Sequence, residues 1–448
     1  MSADASIPRP RYPALNDPAR PAWHFAPPAF WMNDPNGTFQ HAGWHHLFYQ
    51  HNPGADEWGD LHWGHARSRD LVQWEHLPIA LCPQHARGEM HCYSGCAAID
   101  ADGAPRLLYT SVPPGAAENV SQVIASPNDD ALLSWTQHVG TPFLDLATHD
   151  GPKFDRDWRD PYVFRAEGRT FLILGATLGD EAVVPLYENP GGDLKQWTYR
   201  GILLRAPQRE TRFFECPNLI ALGSKWVLLA SPCREVEWWS GTLDLARYEF
   251  HVERHGRVDQ SDHFYATQTT VEENGRTILF AWAQKFPKAR GWNGCLGVPR
   301  RAWLDDEGWL CTEPIAEIAT LRGTPTKIAA SHPGHAAVEI ALPGDHSHDV
   351  ELTFERGPTA TIRIECMGVV IVLGPNGVRF GDRTPVMLAR TGATRVRWLL
   401  DRSLLEIFVG ERASFTRVVA FPSPSMAKVF FEGPARLVDG RAWPLGPT

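Results

Sequence analysis

No stretch of the 448-residue chain concentrates Lys and Arg, and the formal net charge is -9. The electrostatic footprint of a nucleic-acid or anionic-membrane binder is therefore missing, and an uncharged small molecule suits the surface better than either partner. No apolar run reaches membrane-spanning length, and the Pro-rich segment from Met1 to Phe30 has no apolar core of the kind an export signal requires. The expected compartment is the cytoplasm. The eight cysteines include no C-x-x-C pair, so reduced thiols are expected rather than a disulfide framework. Cys92 and Cys96 are followed by no second pair at zinc-ligand spacing and read as small buried hydrophobes. His62 and His65 lie three apart on a strand and so face opposite sides, which argues against a shared metal. No metal and no cofactor is expected.

Long runs of helix formers are scarce too, whereas glycine and proline number 38 and 37. Many short strands joined by turns follow, and with them an all-β fold. The length favours two domains. Asp-Leu-x-x-Trp occurs at Asp70–Trp74 and Asp193–Trp197, with a looser Asp130-Ala-Leu-Leu-Ser-Trp135 between them. The tryptophans stand 61 and 62 residues apart, a period that suits four-stranded propeller blades with insertions. Strand-like runs His45–Gln50, Leu107–Ser111, Thr170–Leu174, Trp226–Ala230 and Thr277–Ala283 fill the intervals, and about five such units end near Leu310. Glu313–Leu321 then reads as a short helix and Arg322–Pro333 as a linker. Beyond it, alternating strands such as Val350–Phe354, Thr361–Cys366, Arg395–Leu400, Leu404–Val409 and Ala427–Phe431 suggest a β-sandwich with a structural role. The expected division is an N-terminal extension over 1–22, a propeller over 23–312, helix and linker over 313–333, and a sandwich over 334–448.

Three carboxylates stand on proline-stiffened segments. Trp31-Met-Asn-Asp-Pro-Asn-Gly37 taken alone reads as a turn; its apolar flank would also aim Asp34 rigidly. In Trp158-Arg-Asp-Pro161, Arg159 favours the ionised form of Asp160, which suits a clamp accepting hydrogen bonds from sugar hydroxyls. Glu215, within Phe213-Phe-Glu-Cys-Pro217, has surroundings that point to burial and a raised pKa, the property of a general acid. An acid and an opposing carboxylate are the parts that glycoside hydrolysis needs, and their separation decides between inversion and retention. Trp238 and Trp239 read as strand, with at least one ring in the core.

These segments resemble glycoside hydrolase family 32, the invertase, levanase and inulinase family. The resemblance also covers Phe48–Pro53, Trp58-Gly59, His62–His65, Asp70–Trp74, Tyr93–Gly95, Phe264–Gln268, Gly291–Gly294, Pro299-Arg300 and Asp401–Phe408. It implies a five-bladed β-propeller followed by a C-terminal β-sandwich. It also implies a retaining β-fructofuranosidase that cleaves terminal non-reducing β-D-fructofuranosides such as sucrose, fructo-oligosaccharides, and levan or inulin ends. By the same resemblance Asp34 is the nucleophile, Glu215 the acid and base, and Asp160 the transition-state stabiliser. Asn33, Gln50, Trp58, Ser94 and Arg159 would contact the fructosyl unit, with Tyr93 and Trp282 as apolar walls. Each of these also has a core-packing reading, evenly matched for Gln50 and Ser94. Two other functions remain open: fructosyl transfer from the same site, as in a levan fructotransferase, and non-catalytic sugar binding. The family more often has Asn at Asp60, Phe at Tyr93, Asp at Asn218 and Lys at Tyr162. These departures are expected around the pocket, where they would bear on the leaving group.

Overall fold

The computed structural model describes residues 13–115, 119–331, 337–343, 346–388, 393–424 and 426–446. Five antiparallel sheets, each built on a meander of four strands, follow one another along the chain. Their innermost strands are Phe30–His41, His91–Ile99, Arg156–Ala166, Glu215–Leu222 and Phe264–Val271. These five pack side by side in a closed ring, the first against the fifth, so the molecule is a five-bladed propeller. The ring is reinforced by Trp292–Asn293, which pairs in parallel with the first inner strand. All five predicted strand runs fall within observed strands.

The tryptophan repeat marks one turn in successive blades. Leu71, Leu132 and Leu194 each adopt a left-handed φ, 63°, 59° and 62°. In each case the indole N–H of the tryptophan three residues on donates to the leucine carbonyl, at 3.1, 3.2 and 2.9 Å. The indole thus satisfies a carbonyl that the turn removes from the ladder. Asp70 and Asp193 cap backbone amides in this turn, but in the second blade the capping residue is Asp129, not Asp130. In the fourth blade Asp244 accepts from Ala246 and Arg247 without any tryptophan, which is why the period fades in the sequence.

Where a helix was expected at Glu313–Leu321, Glu313 and Pro314 instead complete the last propeller strand, and a 3-10 turn spans Ala316–Leu321. The expected linker is also pinned: Thr326–Lys327 pairs with the final strand, Ala435–Pro444. Two sheets, of six and five strands, then face each other as a sandwich around an apolar core that includes Val350, Ile362, Ile371, Trp398 and Val429. Trp238 and Trp239 are both buried.

Propeller and sandwich are joined by buried charge. Arg300, fully buried, reaches Asp259 on the propeller side and Glu406 on the sandwich, each at 3.0 Å. His24 bridges Asp401 at 3.0 Å and Glu406 at 2.9 Å. The backbone amides of Ala22, Trp23 and His24 donate to the Asp401 carboxylate, so the chain entering the first blade is tied to the far domain. Residues 1–12 of the expected N-terminal extension lie outside the described residues.

Candidate active site

Each inner strand slips register where it reaches the axis at one end of the ring, the first and third strands carrying a second slip as well. The slips at the axis fall between Met32 and Pro35, Cys92 and Gly95, Arg159 and Tyr162, Glu215 and Asn218, and Tyr265 and Gln268. A bulge of this kind re-aims a side chain and leaves backbone groups unpaired. It also tolerates proline, which cannot donate to a ladder; Pro35, Pro161 and Pro217 all sit in these slips. Asp160, Cys216 and Ala266 take left-handed φ values of 65°, 49° and 50° there. The Asp-Pro and Cys-Pro pairs of the sequence are therefore the signature of bulges rather than of surface turns.

All ten residues singled out from the sequence line one cavity of about 630 Å³, mouth included, together with Leu61 and Tyr265. Asp34 is buried and held at both oxygens. Ser94 Oγ donates to its Oδ2 at 2.6 Å and Asn33 Nδ2 to its Oδ1 at 3.1 Å. A chain of donors fixes these two: the Trp31 indole donates to Asn33 Oδ1, Asn33 to Gln50 Oε1, and Gln50 Nε2 to Ser94 Oγ. Gln50 and Ser94 are thus linked to Asp34, directly or through Asn33.

Asp160 is 4% exposed, and its Oδ2 accepts the amide N–H of Cys216 at 3.0 Å. The Cys216 thiol lies 3.5 Å from Asp34 Oδ2 and 3.8 Å from Asp160 Oδ2, so the two carboxylates share one neighbour. Arg159 was expected to serve Asp160. Its closer partners are Asp157 and Glu215, the latter at 3.0 Å, while Asp160 stands at 3.8 Å. One guanidinium thus faces three carboxylates. Burial, and next the charge of Glu215, raise Asp34 to about 6, against the opposing hydrogen bonds of Ser94, Asn33 and Cys216. Burial likewise raises Asp160 to about 7, with Arg159 opposing it. Arg159 favours the ionised form of Asp160, as expected, while desolvation and repulsion from Glu215 and Asp34 act against it.

The expected enclosure of Glu215 is corrected. Phe213 and Phe214 turn into the core, 1% and 0% exposed, while the Glu215 side chain is 23% exposed and opens to the cavity. Tyr265, which sequence reasoning missed, donates to Glu215 Oε2 at 2.5 Å. Trp31 and Trp282 meet edge to face at 5.5 Å beside Asp34, and Trp58, 51% exposed, forms the rim with Tyr93 and His91. Of the four departures, only Tyr93 lines the cavity. Asn218 and Tyr162 lie behind it, linked through Thr269 at 2.8 and 2.9 Å, and Asp60 faces outward toward His85. The expectation that all four surround the pocket therefore fails for three. His65 is buried and stacks on Phe48, whereas His62 turns back to the Asp60 carbonyl. Among the described residues no group of three or more His, Cys, Asp or Glu is arranged to hold a metal ion, and no helix is long and apolar enough to cross a membrane.

An anchored carboxylate, a second buried carboxylate and a more open carboxyl around one cavity can together carry out acid-assisted displacement at a sugar carbon. Comparison with known proteins agrees in kind. Residues 24–314 match the profile described as Glycosyl hydrolases family 32 N-terminal domain. The chain is 28% identical to a sucrose-6-phosphate hydrolase of Escherichia coli, covering 95% of both chains. It is 31% identical to a β-fructofuranosidase, insoluble isoenzyme 1, of Oryza sativa subsp. japonica, covering 84% of this chain and 68% of the relative. Among solved structures, a family 32 β-fructofuranosidase from Bombyx mori superposes with a TM-score of 0.77 at 27% identity, covering 97% of this chain and 95% of that one. The chain is a glycoside hydrolase, and it belongs to glycosyl hydrolase family 32.

Proposed function

We propose that this chain is a retaining β-fructofuranosidase that hydrolyses terminal non-reducing β-D-fructofuranosides, with sucrose and short fructans as the first substrates to test. The observation that carries the reading is the two-point anchoring of Asp34 by Ser94 and Asn33 in the cavity onto which Glu215 opens. A nucleophile must be held still and a proton donor must reach substrate, and these two carboxyl groups divide along that line. Asp34 attacks the anomeric carbon while Glu215 gives its proton to the departing oxygen. Water then enters, Glu215 takes a proton from it, and the fructosyl ester on Asp34 is cleaved. Asp160, fixed by the Cys216 amide, binds fructose hydroxyls and steadies the developing positive charge. The relatives' names support the substrate class, and the Bombyx mori enzyme has a variant in complex with sucrose.

The test is a panel of sucrose, 1-kestose, inulin and levan, with products separated and the first-formed anomer read by proton NMR. Free β-fructofuranose as the initial product is expected. No fructose from any of them overturns the reading, an inverted first anomer overturns retention, and oligosaccharide or anhydride products at modest substrate concentration show transfer instead.

A further inference from the structure

The Tyr265 hydroxyl lies among three partners: Glu215 Oε2 at 2.5 Å, the Ser231 carbonyl oxygen at 3.0 Å, and the Cys233 amide N–H, which donates to it at 3.1 Å. A phenol has one proton to give and room for two donors. Ser231 O can only accept. If Glu215 is ionised, both neighbours compete for the one Tyr265 proton. If Glu215 is protonated, it donates to Tyr265, and Tyr265 is free to donate to Ser231. Every hydrogen-bonding position of the phenol is then filled in the protonated state, and the strong charge-assisted bond forms in the ionised one. The heavy atoms need not move.

We propose that Tyr265 is a positioning residue for Glu215, its single proton turning between the Ser231 carbonyl and Glu215 Oε2 as Glu215 gains and loses its own. The inference rests on the reading of Glu215 as acid and base. In the first step the Glu215 proton goes to the glycosidic oxygen as its bond to the anomeric carbon breaks and the bond to Asp34 forms. The Tyr265 hydroxyl turns from Ser231 to the new carboxylate, whose other oxygen already accepts from Arg159 at 3.0 Å. In the second step water bonds to the anomeric carbon, the Asp34 ester breaks, Glu215 takes the water proton, and the hydroxyl turns back. The other charged and titratable groups around this pair are Arg159, Asp157 and Asp160 on the third inner strand, Asp34 on the first, Tyr93 on the second, and Cys216 and Cys233. Arg159 also donates to Glu215, but through N–H groups separate from the one that meets Asp157, whereas Tyr265 has a single proton for two acceptors.

The experiment is Tyr265→Phe, which removes the hydroxyl and leaves the ring. A hydrogen bond to a charged group is worth about ten-fold or more in rate, so kcat on sucrose should fall about ten-fold or more with KM changed less than about twofold. The alkaline limb of kcat/KM should move to higher pH, because the carboxylate loses a stronger partner than the acid does. Carbon-13 NMR titration of glutamate-labelled protein, with the Glu215 signal identified by its loss in Glu215→Gln, should move the same way without substrate. Placing 3-fluorotyrosine at 265, a stronger donor with the ring kept, should move both readouts to lower pH and decides the matter if the Phe variant misfolds. Unchanged pH limb and unchanged titration overturn the proposal, even if kcat falls. Failure of the functional reading looks different: the unaltered protein acts on no fructoside, while the NMR titration still reports on the Tyr265–Glu215 exchange.

Discussion

The buried His24 bridge makes a quantitative prediction about how the protein responds to alkali. Burial alone would lower the His24 pKa, but the hydrogen bonds and charges of Asp401 and Glu406 more than reverse this and push it up from 6.5 to about 9. A raised folded-state pKa contributes stability that is fully present below the unfolded value, near pH 6.5, and is lost as pH rises through about 9. The lowered values of Asp401 and Glu406 are the same interaction seen from the other side and are not added. The shift corresponds to roughly 3 kcal/mol. Spread over 448 residues, unfolding entropy near 2.1 cal/mol/K per residue makes this only about 3 °C in Tm, so urea unfolding followed by tryptophan fluorescence is the better assay. At pH 6.5, His24→Gln should cost about 3–5 kcal/mol, since it takes a cation from buried Asp401 and leaves Glu406 with Arg300 alone. The gap between parent and variant should narrow steadily toward pH 9.5. Parallel losses in the two proteins across that range would refute the assignment of the bridge, because other groups titrating in alkali affect both alike.

Other outcomes follow from the site. With Asp34 raised to about 6, kcat/KM on sucrose should fall about ten-fold per unit below that pH, since a nucleophile must be ionised. Ser94→Ala removes a donor that favours the ionised form, so the acid limb of the pH profile should move upward; a limb left in place would show that Ser94 does not hold Asp34. Gly95→Ala would set a Cβ 1.9 Å from the Leu108 carbonyl oxygen, so thermal unfolding should show a loss of about 1–3 kcal/mol, together with weakened activity as Ser94 shifts. Asn218→Asp would replace the amide that donates to the Cys216 and Thr267 carbonyls at 3.0 Å each with an acceptor facing acceptors. The expected cost is about 1–3 kcal/mol, read as a lower urea midpoint.

The linear order of residues revealed the site where chemistry and chain neighbourhood coincide. Asp34, Asp160 and Glu215 could be found because each stands next to a proline or a Cys-Pro pair that only a bulge accommodates, and the tryptophan spacing exposed the blades because each indole caps its own turn. Tyr265 was hidden because a tyrosine in a strand has an ordinary packing role; only the approach of the fifth inner strand to the fourth gives it Glu215 as a partner. The full environment of Asp160 was hidden for a related reason. Arg159 is its neighbour in the chain, yet the guanidinium reaches across to Glu215. Likewise Arg300 and Glu406, 106 positions apart, look like alternating surface charges of two strands until the sandwich closes on the propeller.

The five register slips have a further meaning for how such a site can change. Each blade contributes one backbone irregularity at the same level of the axis, so the cavity floor is a ring of five separately addressable positions on a frame that stays constant. Asp34, Asp160 and the Glu215–Cys216 pair occupy three of them. The other two hold the Ser94 hydroxyl and the Tyr265 phenol. A new chemical group can therefore be brought to the floor from one blade at a time, without crossing the ladder of any other, by substitution at a single one of these positions.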